Sequence, residues 1–256
     1  MRCLLPWLFA AFLFILAVPA TADPLLSGAQ RAAACPAVPT DPLSLPASRA
    51  ALREGRPLTI LAFGSSSTEG SGASTPEATY PARLAARLRA AMPRVRLMVL
   101  NRGKGGQDVT EMLDRLDTDV LAATPTLVIW QTGANAALRG MEPGLFRAAM
   151  AAGLARLRMT GADVVLMDSQ RAPRILAVPN HARYDAALAE LAVAQQVPLF
   201  SRGRLMRRWE AAGTRTSDML GADELHHNDR GYDCLAAALA GSITAALQPQ
   251  TVMARR

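Results

Sequence analysis

The chain has little of what builds metal centres, nucleotide sites or disulfide frameworks. It contains three cysteines and three histidines in 256 residues, and aromatic residues make up 5 %. No histidine cluster accompanies a cysteine, which argues against a metal site. The glycine-rich segment 103–106 lacks the Gly-Lys-Ser/Thr ending of a nucleotide-binding loop. There is no internal repeat. The sequence therefore predicts neither a metal nor a cofactor.

Lysine is almost absent. The net charge is +7, and Lys104 is the only lysine among the 28 basic residues. The arginines are scattered along helical segments and never form a block interleaved with aromatic residues, as a nucleic-acid surface would require. They are read as solvated helix faces, and no nucleic-acid partner is predicted. Weak attraction to an anionic envelope polymer is the alternative.

The only long apolar run lies at the start of the chain. Arg2 precedes an apolar segment over 3–18, and Ala20-Thr21-Ala22 has the pattern of a cleavage site. This predicts a signal peptide over 1–22 and a periplasmic or secreted protein without stable membrane insertion after cleavage. An uncleaved membrane anchor is the alternative, but the run is short for a span and contains Pro6.

The rest of the chain fits one domain. Residues 23–57 are rich in proline, alanine and serine without a steady period, which predicts an extended N-terminal arm. Residues 247–256 look like a flexible tail. Between them, over 58–246, short apolar runs alternate with amphipathic helical segments. This pattern predicts an α/β fold with a parallel sheet covered by helices on both faces. The runs lie at 58–63, 95–100, 127–130, 164–167 and 197–200.

Two cysteines remain after the predicted cleavage. Cys3 leaves with the signal peptide, so Cys35 and Cys234 form an even pair in an oxidising compartment. A disulfide between them would attach the N-terminal arm to the last helix. The chain-entropy model gives such a long loop roughly 5 kcal/mol.

Polar stretches follow three of the predicted strands. Ser66 comes after the first strand, where Gly64 permits a sharp turn, and it is the candidate nucleophile. Ser65 and Ser67 are rival nucleophiles, and a serine-rich turn that bonds only backbone is the alternative. Gly103 and Asn135, after the second and third strands, are candidate oxyanion donors. A flexible turn is the alternative for the segment that contains Gly103.

A late segment supplies a base. His226 has Asp223 three residues before it, so a carboxylate can hold the second ring nitrogen and fix the tautomer. His227 is the competing base, and a histidine in a polar surface loop is the alternative. Taken together, these residues have the parts that acyl transfer requires.

The order of these stretches resembles the SGNH hydrolase family, also called GDSL-type esterases. The matches are Gly64-Ser65-Ser66, Asn101-Arg102-Gly103, Gly133-Ala134-Asn135 and, over 223–226, Asp-Glu-Leu-His. The resemblance implies a flavodoxin-like three-layer sandwich with a five-stranded parallel sheet. It also implies catalytic roles for Ser66, Asp223 and His226, with Gly103, Asn135 and the Ser66 amide as oxyanion donors. Two positions depart from the family pattern: Ser65 replaces the usual Asp, and Ala136 replaces the Asp that often follows the Asn.

The resulting hypothesis is an exported serine esterase that forms an acyl-enzyme. An O-acetyl group on an envelope or extracellular glycan is the candidate substrate, because of the predicted export and of the substrates that the resemblance to this esterase family implies. Two alternatives stay open. One is an O-acyltransferase with the same catalytic residues, and the other is a catalytically silent glycan-binding protein. The sequence predicts no oligomeric state.

Overall fold

The sheet has five parallel strands. The computed structural model describes residues 34–248. The strands are β1 (Leu58–Gly64), β2 (Leu97–Gly103), β3 (Leu127–Gln131), β4 (Asp163–Met167) and β5 (Leu199–Phe200). They pair in the order β2-β1-β3-β4-β5. This is the flavodoxin-like order, and it confirms the predicted fold class.

Helices connect and cover the strands. They are α1 (Pro46–Arg53), α2 (Ser66–Glu69), α3 (Tyr80–Ala91), α4 (Val109–Asp114), α5 (Leu116–Asp119), α6 (Ala134–Leu138), α7 (Pro143–Arg158), α8 (Pro173–Leu176), α9 (Ala182–Ala194), α10 (Arg202–Ala211) and α11 (Asp229–Leu247). The longer helices α3, α7, α9 and α11 lie in the amphipathic segments that alternate with the predicted strands. The short helices α2, α6 and α8 lie in segments predicted as loops or left unassigned, because one or two turns carry too little periodicity to read.

The second strand extends further than its apolar run. The predicted second run ends at residue 100, but Asn101 pairs with Ala62, and Gly103 with Gly64. Because β2 is an edge strand, its polar residues can stay in the ladder while facing solvent. This extension brings the Asn-x-Gly motif alongside the end of β1.

Two hydrophobic cores lie on opposite faces of the sheet. Along β1, Ile60 and Ala62 face one core, which α3, α10 and α11 complete. Leu61 and Phe63 face the other, which α4, α7 and α9 complete. Side chains alternate between the faces of a strand, so one apolar run supplies both cores. The cores hold the strand ends in fixed register.

The N-terminal arm is bonded to the domain. From Cys35 onward the arm belongs to the same compact unit as the sheet, and Cys35 is joined to Cys234 of α11 by a disulfide. The buried carboxylate of Asp41 accepts bonds from the Ser201 amide at 2.9 Å and from Arg204 Nη2 at 2.9 Å. The arm is not wholly extended, since α1 lies within it. Pro46 begins this helix at a position that suits proline.

Some sequence predictions lie outside the described residues. The predicted signal peptide over 1–22 is one, and the tail beyond residue 248 is another. Within residues 34–248, no helix is both long and apolar enough to cross a membrane.

Candidate active site

Ser66 lies at the carboxyl edge of the sheet. It is the first residue of α2 and follows β1 after Ser65. Gly64 is required at the end of β1, since a Cβ there would lie 2.3 Å from Thr68 Oγ1 and 2.7 Å from Gln131 Oε1. The missing side chain lets the neighbouring strand approach the turn. The turn therefore presents the Ser66 hydroxyl at the edge where parallel sheets form their sites.

Gln131 fixes the turn that carries Ser66. Its fully buried Oε1 accepts a bond from the Ser65 amide at 3.0 Å, from the Ser65 hydroxyl at 3.3 Å and from Thr68 Oγ1 at 3.0 Å. Sequence reasoning missed Gln131, although it is the one polar residue in an otherwise apolar strand. That position was the available signal, because a buried amide needs hydrogen-bond partners.

Ser66, His226 and Asp223 form a continuous hydrogen-bonded row. Ser66 Oγ lies 2.7 Å from His226 Nε2, and His226 Nδ1 lies 2.5 Å from Asp223 Oδ2. The other carboxylate oxygen of Asp223 accepts the His226 and Leu225 amides, each at 3.0 Å. The structure thus brings the three predicted residues together across 160 positions of sequence, in the arrangement that activates a serine.

Asp223 is held in its ionised form. Burial acts to raise its pKa, but the bond from the His226 ring and the two backbone amides outweigh that effect and lower the pKa below its usual value. An ionised Asp223 accepts a hydrogen bond from Nδ1–H, so the proton stays on Nδ1 and Nε2 is the acceptor that faces Ser66. The Asp223 side chain is itself 42 % exposed.

His227 is a core residue and lies away from Ser66. It is fully buried, its Nδ1 lies 2.9 Å from the Met219 carbonyl, and its ring packs edge-on against Trp209 and Tyr232. Burial, followed by the charge of Arg202, lowers its pKa to about 3. The structure therefore favours His226 over His227 as the base.

Gly103 is placed beside α2, with its amide already engaged. Its N–H donates to Asn101 Oδ1 at 2.9 Å. A Cβ at this position would lie 2.0 Å from the Glu69 backbone nitrogen, so the glycine is needed for packing. Its predicted oxyanion role stays a prediction. Gly105 is the loop glycine that approaches the nucleophile, because its added Cβ would lie 4.0 Å from Ser66 Cβ.

Asn135 and Arg115 tie the loop after β2 to the site. Asn135, on α6, donates its amide N–H to the Gln107 carbonyl at 2.8 Å, and the second N–H of that amide is left for a ligand. Arg115 is buried and donates to Gln107 Oε1 at 2.6 Å and to the Gly64 carbonyl at 2.9 Å. Sequence reasoning missed Arg115, since one arginine on a helix resembles a solvated residue.

Across the described residues, no three His, Cys, Asp or Glu side chains are grouped closely enough to hold a metal ion. His181, a third histidine in a separate loop, places its Nδ1 3.1 Å from the Val178 carbonyl.

A family model and several solved structures match this chain. The model of the non-GDSL lipase-like family matches residues 31–249. A lipase/acylhydrolase from Enterococcus faecalis is 25 % identical, with a TM-score of 0.62 over 75 % of this chain and 98 % of that one. No curated protein matches the sequence.

Two further structures share the fold. A two-domain esterase active on acetylated mannans, crystallised with mannopentaose, is 20 % identical, with a TM-score of 0.69 over 81 % of this chain and 55 % of that one. An acetyl xylan esterase is 17 % identical, with a TM-score of 0.64 over 73 % of this chain and all of that one.

The family match covers the sheet, Ser66, Asp223 and His226. Ser65, where Gly-Asp-Ser would have aspartate, is in keeping with the description of the family as non-GDSL. The chain belongs to the non-GDSL lipase-like family and is an SGNH-type serine hydrolase that acts on ester bonds.

Proposed function

We propose that the protein is an exported esterase that removes O-acetyl groups from a glycan through an acyl-enzyme on Ser66. The observation that carries the chemistry is the row from Ser66 Oγ through His226 to Asp223, with distances of 2.7 Å and 2.5 Å. Each member already has the partner that its role requires.

Acylation begins with Ser66. His226 Nε2 accepts the hydroxyl proton while Ser66 Oγ forms a bond to the ester carbonyl carbon. Asp223 stabilises the imidazolium that results. When the tetrahedral intermediate collapses, the bond between the carbonyl carbon and the alcohol oxygen breaks. Nε2–H gives its proton to the leaving alcohol, and the acyl group remains on Ser66.

Deacylation uses the same groups with water as the nucleophile. His226 takes a proton from water, whose oxygen bonds to the acyl carbon. The bond to Ser66 Oγ then breaks, Ser66 regains its proton and the carboxylic acid leaves. The negative charge that develops on the carbonyl oxygen in both steps is stabilised by the second N–H of Asn135 and by the Ser66 amide. The Ser66 amide has no acceptor within its helix.

An acetylated glycan is the substrate class with the most support. The solved structures of similar fold include an esterase active on acetylated mannans and an acetyl xylan esterase. The predicted signal peptide places the substrate outside the cytoplasm. A disulfide between Cys35 and Cys234 suits an oxidising compartment.

The nucleophile is tested by comparing neighbouring serines. Ser66→Ala should abolish labelling by a fluorophosphonate probe and hydrolysis of p-nitrophenyl acetate, with a melting temperature close to that of the wild type. Ser67→Ala removes the same oxygen one residue away and is the matched control. It should keep labelling by the probe. Loss of labelling in Ser67→Ala with normal turnover in Ser66→Ala would overturn the assignment.

The acyl group and the compartment need separate measurements. Rates on p-nitrophenyl esters of increasing chain length should be highest for acetate and fall as the acyl chain lengthens. Release of acetate from acetylated xylo- and manno-oligosaccharides should exceed release from a simple alkyl acetate. N-terminal sequencing of the protein recovered from the periplasm or medium should begin at Asp23. A preference for long acyl chains, or a protein retained in the cytoplasm with residues 1–22 attached, would contradict the proposal.

A further inference from the structure

A cleft of 390 Å³ lies beside the nucleophile turn. Its walls are formed by Glu69, Ser71, Ser74, Thr75, Pro76 and Asn101, among others. This volume falls within the range of about 300–1,000 Å³ that is usual for small-molecule sites. A larger cleft of 550 Å³, beside Thr126 and Gly161, lies at the amino end of the sheet and is lined by none of the site residues.

None of Ser66, Asp223 and His226 lines the smaller cleft, but the segment that forms its wall follows the nucleophile turn directly in the chain. The amides of Gly70 and Ser71 each donate to the Ser66 carbonyl at 2.9 Å. Gly72 packs against the histidine loop, since a Cβ there would lie 3.1 Å from His226 Cβ. The chain segment that lines the cleft therefore begins at the end of the nucleophile turn and passes the histidine loop.

Bonds to α11 fix that segment. Asp229 accepts the Ser74 amide at 2.7 Å and the Ser74 hydroxyl at 2.5 Å. The Tyr232 hydroxyl donates to the Ser71 carbonyl at 2.6 Å. Because both ends of the wall are already bonded, a ligand would order little of the chain on binding, and preorganisation of this kind favours affinity.

The lining suits a polyol and not an acyl chain. Hydroxyl, amide and carboxylate groups share it with apolar members as small as Ala73 and Pro76. The Glu69 carboxylate is exposed and makes no ion pair within residues 34–248. A free carboxylate can accept bonds from two neighbouring hydroxyls. The same carboxylate would repel an anionic sugar.

We propose that this cleft binds a neutral sugar unit on the alcohol side of the scissile ester, and that Glu69 accepts hydrogen bonds from its hydroxyls. The inference rests on the proposed function, because the sugar is the part of the substrate that leaves with the alcohol oxygen. It also assigns the acyl group to a different part of the site.

The cleft is tested by filling it. Thr75 precedes a three-ten helix over Pro76–Ala78, and Ser217 lies in another over Thr216–Asp218. Thr75→Trp places a large side chain in the cleft, and Ser217→Trp makes a similar change at an exposed hydroxyl residue that does not line it. The measured quantity is kcat/KM on an acetylated xylo- or manno-oligosaccharide divided by kcat/KM on p-nitrophenyl acetate. Thr75→Trp should lower this ratio at least tenfold, and Ser217→Trp should leave it within twofold of the wild type. An unchanged ratio in Thr75→Trp would overturn the proposal.

Binding without turnover separates this proposal from the proposed function. Calorimetric titration of Ser66→Ala with deacetylated xylo- and manno-oligosaccharides should detect binding. Adding Glu69→Gln should weaken it at least fivefold, and adding Thr75→Trp should abolish it. Binding that neither Glu69→Gln nor Thr75→Trp reduces, or no binding at all, would overturn the proposal that the cleft binds a sugar. A wild type that hydrolyses no ester would overturn the proposed function whatever the cleft binds.

Discussion

Replacing Gln131 with methionine should loosen the nucleophile turn. Methionine keeps the length and approximate volume of the side chain but removes Oε1, which accepts the Ser65 amide, the Ser65 hydroxyl and Thr68 Oγ1. Two of those donors have alternatives: Thr68 Oγ1 also lies 3.2 Å from Tyr80 Oη, and the Ser65 hydroxyl can rotate. The Ser65 amide is buried and has none.

The structure sets the size of the effect. One buried amide left without an acceptor costs about 1–3 kcal/mol. The loss is partly offset because Gln131 Nε2, which is buried without a partner in the described structure, is removed as well. A net loss of about 2 kcal/mol corresponds to a decrease in melting temperature of about 4–8 °C for a domain of this size. Because Ser66 follows Ser65 directly, kcat should fall about tenfold or more, with a smaller change in KM.

Thermal unfolding and steady-state kinetics on p-nitrophenyl acetate give both values. Thr132→Val is the matched control, since it removes a polar atom from the next residue, also buried, while keeping the side-chain shape. It should shift the melting temperature by less than half as much. Wild-type stability and kcat in Gln131→Met would refute the reasoning, because the Ser65 amide would then have another acceptor.

Three other predictions concern the base, the N-terminal arm and the loss of stability at low pH. His226→Ala should lower kcat/KM about 10³-fold or more, and activity that survives this change would rule out His226 as the base. Asp41→Asn should cost about 1–3 kcal/mol of unfolding free energy, since the carboxylate pairs with Arg204, and equal stability in a denaturant titration would contradict this. His227 stays neutral in the folded protein, with a pKa of about 3, whereas the unfolded chain takes up its proton near 6.5. The contribution of neutral His227 to the free energy of unfolding is therefore fully present above about pH 6.5 and is lost as the pH falls toward 3. The melting temperature should fall over the same pH range, and this fall should be smaller in His227→Gln. An equal pH dependence in the wild type and in His227→Gln would refute the prediction that His227 is neutral in the folded protein.

The sequence determined the fold class through its periodicity. Apolar runs of strand length alternate with amphipathic helices, and that alternation can be buried only as a parallel sheet covered on both faces. The carboxyl ends of β1 and β3 also follow from the sequence, and with them the placement of Ser66 and Asn135 at one edge. Asp223 and His226 are close in the chain, so their pairing was readable as a local pattern.

Tertiary structure shows what distinguishes two adjacent histidines. The spacing to Asp223 predicts His226 as the base, and the structure packs His227 between Trp209 and Tyr232 as a core residue. The Asn-x-Gly motif predicts Gly103 as a donor; only the structure shows that its amide donates to Asn101 Oδ1, and the oxyanion role stays a prediction.

Partners that meet across strands were also beyond the sequence. Gln131 reaches the Ser66 turn from β3, and Arg115 reaches the ends of β1 and β2 from beyond α4. The position of Gln131 in an apolar strand indicates that its amide needs a partner but not which partner, and no local pattern marks Arg115. Local propensity and periodicity describe one segment at a time, whereas a buried hydrogen bond between two segments is specified only when the fold brings its donor and acceptor together.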